Sequence, residues 1–102
     1  MTSKRFVILV DSETSEQVRK LIEEFKTRRL GFWHWLKNSY LVVDKKGTET
    51  SGSLRDLLQE THKGIHSLVL ELRGDDTYAG FGPRGEKRDM FKWVRDVWKP
   101  AQ

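Results

Sequence analysis

Asp11 is the first residue in this chain that is placed to do chemistry. It ends the apolar run Phe6-Val-Ile-Leu-Val10, where a buried strand would deliver a side chain to its C-terminal end. A carboxylate there can ligate Mg²⁺, a hard cation that takes oxygen ligands. One aspartate is not a metal site. Two copies meeting across a two-fold axis can share one ion, and Glu13 in the same loop is a candidate second ligand. The competing role is structural, with Asp11 capping the helix that follows. The basic residues are a second candidate. Arg88, Lys92, Arg95 and Lys99 are spaced to fall within an arc of roughly 60° on a helix turning about 100° per residue. Four cations on one stripe can track a phosphate backbone, and a solvated helix face has the same pattern. Lys4, Arg5 and Arg84 extend the basic set.

Other chemistries find less support. His34, His62 and His66 have no metal-ligand spacing on one element, and Gly64 interrupts the pair four residues apart. His34 lies among tryptophans and reads as structural. No serine stands in a nucleophile elbow. Gly80-Phe-Gly-Pro-Arg-Gly85 matches G-x-G-x-x-G, but a dinucleotide site needs that motif after the first strand of a parallel βαβ unit. Near the C-terminus of an antiparallel domain the match is accidental, although Arg84 beside a helix N-terminus is a modest anion-site candidate. Trp33, Trp35, Tyr40 and Tyr78 can stack bases or pack in a core or a dimer contact.

The elements that must hold these residues follow from periodicity. Lys4 to Val10 reads as a strand, and its unbroken apolar run implies burial on both faces. In a small domain that hints at a partner subunit. Thr14 with Gln17 makes a capping-box pattern. Val18, Leu21, Ile22 and Phe25 form one buried helical stripe, and Gly31 is a natural stop. The aromatic stretch Gly31 to Asp44 reads as a hairpin, with Phe32 to Leu36, a Lys-Asn turn, then Tyr40 to Val43. Ser53 to Glu60 is a short helix and Ile65 to Leu72 a strand. Tyr78 to Phe81 is a candidate edge strand, and a last helix is expected from about Glu86 to Trp98, ended by Pro100. The order is β, α, β, β, α, β with an extra C-terminal helix. This is an α+β, ferredoxin-like βαββαβ sandwich with an antiparallel sheet. Both internal helices cover one face; the other is left for a partner, a ligand or the last helix.

At 102 residues the chain reads as a single domain, 1–102. The net charge of +4 and pI near 9.5 favour polyanionic partners mildly. With no cysteine, disulfides and thiolate zinc sites are excluded, and a reducing, cytoplasmic setting fits. The longest apolar run is far short of a membrane span, and the basic N-terminus meets Asp11 too soon for a signal peptide.

The strand Phe6-Val-Ile-Leu-Val-Asp11, the block Trp33-His-Trp-Leu-Lys-Asn-Ser-Tyr-Leu-Val42 and the strand Leu68-Val-Leu-Glu-Leu72 resemble the SinR-like family over roughly residues 5–98. That family looks related to the small ferredoxin-fold subunit of the CRISPR adaptation complex and to VapD-like ribonucleases. The resemblance implies a dimer and, in several members, a metal-dependent nuclease whose key aspartate ends the first strand, where Asp11 stands. The chain departs from the pattern at Val10, where a tyrosine is typical, and it lacks a second acidic signature.

The expectation is a nucleic-acid-binding homodimer, with weak Mg²⁺-dependent ribonuclease activity carried by paired Asp11 carboxylates. Lys4, Arg5, Arg84, Arg88, Lys92, Arg95 and Lys99 would hold RNA or DNA. The rival expectation is a protein-interaction module without catalysis or cofactor, such as an antitoxin or a phage or mobile-element inhibitor.

Overall fold

The structure is a computed structural model and describes residues 2–101. Strand β1 (Lys4–Val10) leads to helix α1 (Ser15–Thr27), then to β2 (Gly31–Trp33) and β3 (Ser39–Asp44). Helix α2 (Ser51–Thr61) and β4 (Ser67–Leu72) complete the sheet. The strand order is β2-β3-β1-β4 and every pairing is antiparallel. This is the ferredoxin-like βαββαβ arrangement expected from the element order. A C-terminal helix follows, with a π-helical turn at Val94–Trp98 running into a 3-10 turn at Lys99–Ala101. No described helix is long and apolar enough to cross a membrane.

Both sheet helices start on a reciprocal cap. Gln17 N–H donates to Thr14 Oγ1 at 3.2 Å while Thr14 N–H donates to Gln17 Oε1 at 2.8 Å. Thr50 and Ser53 repeat the device at α2, satisfying backbone donors that a helix start leaves open. The stop of α1 differs from expectation. Arg29, not Gly31, takes the left-handed conformation, at φ 59°, and Leu30 N–H closes the turn on Phe25 O at 2.9 Å. Only glycine adopts that backbone without a Cβ penalty. Arg29 is exposed, so Arg29→Gly is expected to raise stability by about 0.5 to 1 kcal/mol. The check is a higher urea midpoint with an unchanged slope.

The chain itself covers one face of the sheet and part of the other. On the helix side Phe6, Ile8, Val10, Tyr40 and Val42 pack with Leu21, Phe25, Leu54, Leu57 and Leu58. On the opposite, open side Trp33 and Val43 pack with Met90, Phe91, Val94 and Trp98, and Val7 and Leu41 join them. The double burial read from β1 is therefore met at Val7 by the C-terminal segment, while Leu9 on the same face stays 40% exposed.

Three local expectations change. The first hairpin strand ends at Trp33, and residues 34–38 form a loop. His34 turns its ring flat onto Tyr40, with centroids 4.0 Å apart, and its Nδ1 faces Ser39 O at 2.8 Å. Asn38 does take the expected left-handed turn, at φ 64°. Residues 78–81 form no strand. The last helix begins after Asp89, not at Glu86. Arg84 and Asp89 pair in an isolated antiparallel bridge, Gly85 N–H donates to Arg88 O, and Asp89 Oδ1 accepts from Phe91 N–H at 2.9 Å. That tight turn places Arg88 off the helix. Pro100 sits inside the final turn.

Candidate functional site

Asp11 leaves β1 into solvent. Its backbone N–H donates to His66 O at 3.0 Å, its side chain is 76% exposed, and its carboxylate lies 3.9 Å from His66 Nδ1. Thr14 does the capping, so Asp11 is not needed for it. Among the described residues no group of three or more His, Asp or Glu side chains is placed to hold a metal ion.

Glu13 is engaged elsewhere and does not join Asp11. Its carboxylate is 5% exposed and accepts on Oε2 from His62 Nε2–H at 2.7 Å and from Tyr40 O–H at 2.9 Å. His34 Nε2 stands 3.7 Å from Oε1. His62 is fully buried and its Nδ1 meets Thr61 Oγ1 at 2.8 Å. Burial raises the pKa of the Tyr40 phenol strongly, and the hydrogen bond to Glu13 and its charge add to the rise. The cluster joins the β1–α1 loop, the residue after β2, strand β3 and the end of α2. Its members come from four separate stretches, so no spacing in the sequence announces it.

The basic set is dispersed. Arg5 is 1% exposed on the open face, under Trp98, with Nη2 donating to Gly74 O at 2.9 Å and Nη1 against Asp76. It is a buried structural residue and cannot reach a phosphate from there. Lys4 donates to Glu49 O. Lys92 faces Asp96, and Arg95 donates to Asp89 at 2.8 Å, which holds the Asp89 carboxyl below its usual range. Lys99 meets Asp76 O and lies 3.9 Å from Asp75. Arg84 lies over the Phe91 ring and Arg88 over Trp35. Exposed pairs of this kind are weak, yet the carboxylates among them break up any field of one sign. Of the aromatic candidates, Trp33 is buried with Nε1–H donating to Met90 O at 2.7 Å, and Tyr40 is in the core. Trp35 and Tyr78 remain partly exposed.

What the sequence did not disclose is an apolar groove of about 450 Å³ on the open face. Val7, Leu9 and Leu41 form its floor, and Leu36, Tyr78 and Phe81 stand at its edges. Leu9 pairs in register with Leu68, and Val7 with Leu70, so the exposed Leu9, Leu68 and Leu70 continue the groove across β4. Alternation along β4 puts Leu68, Leu70 and Leu72 on this face. The first two glycines of the Gly80–Gly85 motif serve packing. A Cβ on Gly80 would lie 2.7 Å from the Phe91 ring and one on Gly82 2.2 Å from Met90 Sδ. No family model, curated protein or solved structure matches this chain significantly.

Proposed function

We propose that this chain is a protein-interaction module that works as a homodimer and makes its contacts through the open face of its sheet. The observation that carries this reading is the apolar surface running from the groove through Leu9 to Leu68 and Leu70. Contiguous apolar surface of that extent marks an interaction site. The scatter of the cations supports the same choice over a phosphate-tracking surface. Sedimentation across a concentration series should show a dimer that persists or strengthens at high salt, because apolar burial is not screened. A wild-type chain that stays monomeric throughout would sink the reading.

A second reading keeps the nuclease expectation, because Asp11 is exposed and shares a shallow depression with Leu9 and Leu68 at the rim of the same surface. Paired Asp11 carboxylates would hold Mg²⁺, which when bound polarises a phosphate oxygen and activates water. RNA and DNA cleavage with Mg²⁺, wild type beside Asp11→Ala, separates the two. Under the interaction reading neither protein cleaves. Cleavage that disappears in Asp11→Ala while the dimer persists would replace it with the nuclease reading. Binding of RNA that weakens steeply with salt would likewise favour nucleic acid.

A further inference from the structure

We infer that the groove on the open face is filled by Phe81 of a second copy of this chain, in a reciprocal exchange across a two-fold axis. The inference rests on the homodimer reading above and names the contact that makes the dimer. Phe81 is 98% exposed, an unusual state for a phenylalanine in a folded chain. The loop holds it there. Gly80 lies against the Phe91 ring and Gly82 against Met90. Tyr78 stacks on Phe91 at 6.4 Å, and Met90 N–H donates to Pro83 O at 2.9 Å. With its neighbours pinned down on both sides, the residue between them is left in solvent. Phe81 therefore stands at the rim of its own groove without filling it.

A two-fold contact needs one surface that is complementary to itself. A projecting ring and an apolar recess, side by side on one face, meet that condition. The recess of about 450 Å³ is ample, since an apolar cavity of ~150 Å³ holds benzene. Leu9, Leu36, Leu68, Leu70, Tyr78 and Phe81 together expose on the order of 650 Å², near the roughly 800 Å² per partner of a standard interface. The same reciprocal docking covers the leucines that flank the groove.

Phe81→Ser should weaken the dimer about 100-fold or more, because each interface loses two copies of a buried aromatic anchor. Its circular dichroism and monomer melting should stay unchanged, since Phe81 touches little of its own chain. The position of the ring is read independently by placing the photoreactive p-benzoylphenylalanine at residue 81 and mixing isotope-labelled with unlabelled chains. The expected adduct joins two chains and maps to Leu9, Leu36 or Leu41. A dimer that survives Phe81→Ser, or an adduct within one chain or elsewhere on the second, overturns the inference and leaves the homodimer reading standing. A monomeric wild type overturns both.

Discussion

Glu13→Ala should cost the fold about 3 to 5 kcal/mol, a large share of the roughly 5 to 15 kcal/mol that holds a domain together. The buried carboxylate accepts from His62 Nε2–H and Tyr40 O–H, and His62 and Tyr40 are both essentially without solvent access. Removing the acceptor leaves each donor unsatisfied, at about 1 to 3 kcal/mol apiece, and opens space at the junction of four chain segments. Glu13→Gln keeps one carbonyl acceptor and should lose less than half as much. Urea unfolding of the two variants measures both losses; an alanine variant within about 0.5 kcal/mol of wild type would refute the cluster's structural role. The phenol adds a pH signature. Its pKa is raised in the fold, so the folded state holds that proton more tightly than the unfolded chain. The stabilisation is complete below pH about 10, the ordinary tyrosine value, and is lost as the pH rises beyond it. Tyr40→Phe should be less stable at neutral pH and lack that alkaline slope.

The scaffold was legible because its signals are local. Thr14 and Gln17 sit three residues apart and cap α1 as their types require. The alternation of Ser67 to Leu72 assigned β4 its two faces, and the order of elements then left one sheet topology. The site was less legible because it is assembled from afar. Glu13, His34, Tyr40 and His62 meet only after the sheet has formed. Arg5 looks like any surface cation beside Lys4 in sequence, yet the alternation of β1 sets it on the open face and the C-terminal segment over it buries its guanidinium. The basic stripe was only partly legible: Asp89 caps its own turn through Phe91 N–H, which starts the helix too late to include Arg88, and Lys92, Arg95 and Lys99 each face an acidic residue. Gly80 and Gly82 did mark a close backbone approach, but to Phe91 and Met90, not to a pyrophosphate.

Asp76→Ala should destabilise the protein more than Arg5→Met, although Asp76 lies in an irregular segment and Arg5 in a central strand. Arg5 is 1% exposed and Asp76 26%. Their contact is an ion pair by distance, but Nη1 and Oδ1 are not aligned as a hydrogen bond, so the charges themselves carry most of the interaction. Taking away the aspartate strands a guanidinium where water cannot reach it, and breaking a buried pair in that direction costs about 3 to 5 kcal/mol. The remaining bond to Gly74 O and the Trp98 face 5.0 Å away compensate only part of a full charge. Arg5→Met keeps the apolar stem that packs under Trp98 and leaves Asp76 near enough to solvent to be rehydrated, so a loss of about 1 to 2 kcal/mol is expected. The double variant should then recover most of what Asp76→Ala loses, since no buried charge remains. Urea unfolding of the full cycle gives the coupling. Equal losses for the two single variants would show that the guanidinium reaches water in solution, and would return Arg5 to the set of residues able to meet a phosphate.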